Sequence, residues 1–173
     1  QVIVPYRGDV HDYKHLRPAG DLGQMVYTFF ELRDRESIMK AIRYSNVVIN
    51  LIGREYETHR FTFNDVHVTG ARLIAECCAE AKVERLIHFS SLLATDNPQC
   101  LYIPKPSQFL MTKHLGEKVV REEFPDVTII RPADIFGTED RLTRYYPHVW
   151  RRTFRHLGIW KKGEYTVKQP VYV

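Results

Sequence analysis

The sequence predicts an α/β fold, a doubly wound parallel sheet with helices on both faces. Three observations carry that prediction. Short β-branched runs alternate with stretches of helical periodicity, strand, helix, strand, helix, strand, joined by short links. One run, NVVINLIG at 46–53, is too continuously apolar for a solvated face, as in the strands of parallel sheets covered on both sides. At 173 residues, 44% hydrophobic and 27% charged, the chain has the size of one domain that buries roughly two-thirds of its unfolded surface.

The elements follow in order. VIVPY (2–6) is a buried strand that stops at Arg7-Gly8. Residues 8–24 carry three glycines and Pro18 and read as loop. MVYTFF (25–30) is a second strand. Asp34 then suits an N-cap, and Ile38, Ala41 and Ile42 give the apolar face of a short helix. After NVVINLIG, a helix from about Phe63 to Ala81 turns Val66, Leu73, Ile74, Cys77 and Ala81 inward. The strand Arg85–Ser90 precedes a helix from about Ser107 to Phe124, with Met111, Leu115, Val119 and Val120 on its apolar face. VTIIRP (127–132) is a further strand stopped by Pro132, and VKQPVYV begins another at the end of the chain.

The boundaries expected from this are a partial dinucleotide-binding domain over 1–137 and a different segment over 138–173. The latter is basic and aromatic, with Tyr145, Tyr146, Trp150 and Trp160 among Arg141, Arg144, Arg151, Arg152 and Arg155. Dinucleotide folds open with a strand and a Gly-rich turn that seats the pyrophosphate on a helix N-terminus. The GxxG from Gly20 to Gly23 precedes a strand instead of following one. The chain thus reads as lacking its first βα unit and its C-terminal elements.

Composition narrows the function classes. A net charge of +4 fits an acidic cofactor, an anionic lipid surface or nucleic acid, and selects none. No apolar run approaches the roughly eighteen residues of a membrane-spanning helix. Three cysteines, two of them adjacent (Cys77, Cys78), give neither a disulfide framework nor a CxxC metal pair. His11 and His15 are spaced for a metal on a helix, but the stretch lacks helical periodicity and a third ligand, so no metal is expected.

Four places could carry chemistry. Arg7, at the tip of a strand, suits the 2′-phosphate of NADP, where an acid would suit the 2′-hydroxyl of NAD; the alternative is a solvated arginine in a turn. Phe109 and Lys113 share a helix face, and the plain alternative is a core ring and a surface amine. Ser90 and Ser91 end a buried strand and could bind a carbonyl or an amide, or be satisfied strand-end hydroxyls. His67 sits among apolar residues in a helix, where packing is the commoner role.

The stretches NVVINLIG and RPADIFG, together with a serine-ended strand followed by a helical lysine, resemble the short-chain dehydrogenase/reductase family. HLRPAGDLGQ, ERLIHFSSL, LGEKVVREEFPD and TVKQPVYV resemble its atypical members that are accessory subunits of mitochondrial respiratory complex I. The resemblance implies a Rossmann-type sheet and a tightly held, non-exchanging structural NADPH. It implies that Arg7 meets the 2′-phosphate, that Glu31 and Leu32 line the adenine, and that Leu51, Ile52 and Gly53 pass under the cofactor's centre. Ser90, Lys113, Pro132 and Ile135 would surround the nicotinamide. The implied partners are other subunits of respiratory complex I, on the matrix side of the mitochondrial inner membrane with that membrane's surface as a further contact, and no nucleic acid.

Active members of the family carry a tyrosine four residues before the lysine, and its phenol moves the proton. Here that position is Phe109, which has no dissociable proton. His67 stands where extended members carry an asparagine. The resemblance therefore implies cofactor binding without catalysis. The rival readings are an active NADP-dependent reductase or epimerase with His67 as proton donor, and a nucleic-acid-binding relative that uses 141–162.

Overall fold

A computed structural model of the chain describes residues 1–98, 105–138, 140, 164, 167 and 169–173. The basic-aromatic segment 141–162 lies outside the described residues. The strands are β1 (Val2–Tyr6), β2 (Met25–Phe29), β3 (Val47–Asn50), β4 (Arg85–Phe89), β5 (Thr128–Ile130), β6 (Ile135–Phe136) and β7 (Val171–Tyr172). The helices are α1 (Val10–Tyr13), α2 (Arg35–Ile42), α3 (Gly70–Glu80) and α4 (Gln108–Glu123). A 3₁₀ turn (Lys14–Ala19) follows α1, and a π-helical turn (Asp65–Thr69) leads into α3.

Among the described residues all strand pairings are parallel. β1 bonds to β2, β3 to β4 to β5, and β6 to β7. Among the described residues β1 and β3 each keep one unpaired edge. The crossover helix α2 joins the two pieces by packing on both β1 and α3. In right-handed crossovers, a chain that winds one way and then the other puts its helices on opposite faces. Accordingly Tyr13 of α1 stacks on Tyr27 and meets Tyr6, while α2, α3 and α4 lie over Val48 and Leu86.

The core sits under those three helices. Ile38, Ile42, Ile74, Cys77, Cys78, Leu86 and Val120 form one cluster. Burying a side chain the size of Ile38 or Leu86 contributes about 2 kcal/mol. Asp34 caps α2 as expected, its carboxylate accepting the Glu36 N–H at 3.1 Å. Arg35 then reaches across to Glu76 and Glu80 of α3 at 2.9 and 2.6 Å, exposed pairs that add little each.

Three expectations need correction. Residues 8–24 are not plain loop: α1 and the 3₁₀ turn occupy ten of them, pieces too short to show periodicity. NVVINLIG does have an open face among the described residues, with Val47, Ile49 and Leu51 49%, 56% and 68% exposed. Finally, α4 buries Thr112, Lys113, Gly116 and Glu117 beside Val119 and Val120, while Leu115 is 42% exposed. Its sheet-facing side is polar because partners elsewhere in the chain satisfy it.

Candidate functional site

Ligands of doubly wound sheets bind beyond the carboxyl ends of the strands, where the winding reverses. At the end of β3 the Asn50 side chain turns the chain: its Oδ1 accepts the Ile52 N–H at 3.0 Å and its Nδ2 faces His88 Nδ1 at 3.1 Å. The backbone then runs through Leu51 and Ile52 to Gly53, beneath α4. Ser107 caps α4 by accepting the Leu110 N–H at 3.5 Å, which starts the helix early enough to bring Lys113 over the sheet. Lys113 Nζ donates to the Phe89 carbonyl at 3.2 Å. A Cβ on Gly53 would lie 2.9 Å from that nitrogen, so glycine is what lets the loop pass so close. Burial pulls Lys113 below the ordinary lysine range, with Glu117 opposing.

His67 lies in the π turn. The Gly70 N–H bonds back five residues to the Asp65 carbonyl, the signature of one extra residue in a helical turn, often found at functional sites. The imidazole is 2% exposed. Arg54 donates its backbone N–H to Nε2 at 3.2 Å. An amide can only donate, so Nε2 is bare and Nδ1 carries the hydrogen. Nδ1 gives that hydrogen to Thr112 Oγ1 at 2.9 Å, and the hydroxyl donates onward to the carbonyl of Gln108 or Phe109. Phe63 stacks on the ring and Phe109 meets it edge-on, with centroids 5.7 and 5.3 Å away. Burial first, and the Lys113 ammonium second, depress the His67 pKa to about 4. His88 is depressed to about 4 for the same two reasons.

Behind Lys113, Glu117 is 2% exposed and takes both Nε and an Nη of Arg131, at 2.9 and 2.5 Å. Burial pushes the Glu117 carboxyl up, but the Arg131 hydrogen bonds outweigh it and hold the group ionised. Ser90 is buried on the neighbouring strand end. Among the described residues its hydroxyl has no hydrogen bond of good geometry, yet it lies close enough to the Glu117 carboxylate to help keep it charged.

The other end of the site lies at the tips of β1 and β2. The buried Phe61 ring carries two guanidiniums, Arg7 at 5.1 Å and Arg33 at 4.4 Å from its centroid. Arg33 also donates to the Arg60 carbonyl at 2.6 Å and to Asp65 at 3.4 Å. Glu31 is fixed by Ser37, whose hydroxyl accepts its N–H at 3.0 Å. Leu32 is 5% exposed and belongs to the core, so the backbone is what it can offer a ligand.

The structure thus brings together Gly53, Lys113, Phe109, His67 and the Ser90 strand end. Pro132 joins them through its carbonyl, which accepts the Leu92 N–H at 3.0 Å. Ile135 is 40% exposed on β6, and Leu51 projects outward. Arg7, Glu31 and Leu32 form the separate far end. Sequence reasoning missed Phe61, Arg33, Thr112, Gly116 and the Glu117–Arg131 pair. The one available signal was Gly116, a helix-breaking residue in the middle of a strong helix. Among the described residues no three metal-ligating side chains gather, and no helix is long and apolar enough to cross a membrane.

A Cβ-free passage under a buried ammonium, with arginines at the far end, fits a pyridine dinucleotide. Comparison with known proteins agrees. Residues 11–156 match the family described as NAD(P)H-binding. The chain is 50% identical over 173 residues to NADH dehydrogenase (ubiquinone) 1 alpha subcomplex subunit 9, mitochondrial, of Mus musculus, covering 100% of this chain and 44% of that protein. It is 48% identical over 141 residues to the mitochondrial NADH-ubiquinone oxidoreductase 40 kDa subunit of Neurospora crassa, covering 82% of this chain and 36% of that one. It therefore spans less than half the length of these curated relatives. In fold it is similar to dTDP-glucose 4,6-dehydratase of Streptomyces venezuelae, solved with NAD bound. That match has a TM-score of 0.65 at 16% identity and covers 85% of this chain and 50% of that one.

Proposed function

This chain belongs to the NAD(P)H-binding family, and on that footing we propose that it serves in an accessory subunit of mitochondrial respiratory complex I. There it holds NADPH as a structural, non-exchanging cofactor and supports the assembly or stability of the matrix arm beside the inner membrane. The identity to relatives so named supports the assignment. The observation that carries the catalytic silence is Phe109, seated edge-on to His67. A bound nicotinamide supplies a hydride, and reducing a carbonyl also takes a proton. Phe109 has none to give, and both nitrogens of His67 are already engaged. That same engagement argues against His67 as the donor of an active reductase.

In this reading Arg7 grips the 2′-phosphate, and Glu31 with the Leu32 backbone borders the adenine. Leu51, Ile52 and Gly53 underlie the cofactor's centre, while Ser90, Lys113, Pro132 and Ile135 surround the nicotinamide. A cofactor that never reacts still matters: a ligand at a thousand times its dissociation constant stabilises the native state by about 4 kcal/mol. The test is to purify the native protein and identify its nucleotide and companions by mass spectrometry. NADPH in near-equal amount, together with respiratory subunits, is the expected result. Repeated oxidation of NADPH against a panel of aldehydes and ketones would overturn the silent reading.

A further inference from the structure

His67 does something other than the proton transfer that its position first suggests. His67, itself in the π turn before α3, joins two parts of the chain that lie far apart in sequence, the loop after β3 and α4. The Arg54 N–H ties the loop to one nitrogen and the Thr112 hydroxyl ties α4 to the other. Those bonds bridge 13 and 45 residues of sequence. The main chain of the same residue locks the arrangement. A Cβ on Gly116 would come 2.2 Å from the His67 carbonyl oxygen, so α4 is seated on the backbone of the π turn itself. Phe63 stacks on the ring and Phe109 meets it edge-on.

The loop so held is the one whose Gly53 passes beneath Lys113 Nζ. Its height over the sheet is therefore set from both sides, by the imidazole through Arg54 and by the lysine, which is itself anchored to the Phe89 carbonyl. Of the imidazole's protonation states, only the neutral one, with one bare nitrogen and one N–H, can accept from an amide and donate to a hydroxyl at the same time. We propose that His67 is a positioning residue whose neutral imidazole fixes the Gly53–Arg54 backbone against α4 as the floor of the dinucleotide site. The inference rests on the reading of that site as an NADPH site. It adds a residue that acts through the Arg54 backbone.

The experiment uses the full chain in three forms: parent, His67→Ala and His67→Gln. The glutamine amide offers an acceptor and a donor with spacing close to that of the ring. Once bound nucleotide has been stripped from each form, binding of NADPH and NADH is measured by calorimetry well below each melting temperature, and exchange of the Arg54 amide is followed in parallel. His67→Ala should weaken both nucleotides by about the same factor, roughly tenfold for one lost buried hydrogen bond, because the floor lies under both. The glutamine should recover most of that loss, and the Arg54 amide should lose protection in the alanine form alone. A folded alanine variant that binds NADPH like the parent, or that loses NADPH but not NADH, overturns the proposal. If the parent carries no nucleotide as purified and binds neither when offered it, the NADPH reading is what has failed. The Arg54 amide then still decides whether His67 holds the loop: unchanged protection in the alanine form overturns that as well.

Discussion

At the tips of β1 and β2 the groups available to a ligand are exposed cations laid over one ring, Arg7 and Arg33 on Phe61, the Arg33 side chain 58% exposed. At the tips of β3 and β4 they are buried and bonded to one another: Lys113 to the Phe89 carbonyl, His67 between Arg54 and Thr112, Glu117 to Arg131. The first region can take up an anionic group with little rearrangement. The second has committed most of its polar atoms to its own scaffold. An active site of this family would need the reverse at that end, a group poised to exchange a proton with substrate. On the proposed reading, recognition and chemistry have separated along the length of one cofactor site.

That contrast can be broken or sharpened by measurement. Among the substitutions the largest effect is expected for Arg131→Met, which takes its two-pronged partner from the 2% exposed Glu117 carboxylate. Stranding a buried charge costs about 3 kcal/mol, read as a lower midpoint in urea unfolding. An unchanged midpoint would mean that the Lys113 end of the site is not held by this pair. Gly116→Ala comes next. Alanine gains about 1 kcal/mol in helix propensity, so the 2.2 Å approach to the His67 carbonyl must outweigh that gain. A net loss of about 2 kcal/mol is expected from overpacking against backbone, and a stabilised variant would refute the tight seating of α4.

Acid provides the third probe. His67 and His88 hold folded pKa values of about 4 against 6.5 when unfolded. Between those values the unfolded chain binds more protons, so stability is level above pH 6.5 and falls as the pH drops towards 4. Each imidazole contributes about 1.4 kcal/mol per pH unit within that window. Unfolding at pH 7, 6 and 5 should show the decline, and a flat profile would place both rings in water. The smallest effect belongs to the exposed end. Arg7→Ala should weaken NADPH about fivefold more than NADH, the scale of one solvent-screened charged contact, with melting unchanged. Equal losses by calorimetry would take the 2′-phosphate away from Arg7.

Much of this was legible in order and little of it in contact. The apolar runs at 46–53 and 85–90 announced β3 and β4, and the Asp34 cap announced α2. The buried side of α4 was misjudged because apolar periodicity marks Met111 and Leu115, whereas Thr112, Lys113 and Glu117 go inward, each satisfied by a partner far off in the chain: His67, Phe89 and Arg131. No local pattern records such a partner. Arg7 could be picked out because a strand end is a local feature. Phe61 and Arg33 could not, since what joins them to it is a shared ring face that lies 28 residues from Arg33 and 54 from Arg7 in sequence. Phe109 was the opposite case, a single missing oxygen that family resemblance exposes at once.

Cys77 and Cys78 both lie in the core at 0% exposure, and the second thiol is pushed up to about 12 by burial first and by its neighbour second. Thiolate, the form that reacts, is thereby scarce, and reagent has no route to it while α3 stays docked. Alkylation at this pair becomes a clock for the opening of that helix. A bound nucleotide that braces the domain would slow its ticking, with no turnover assay needed to see it.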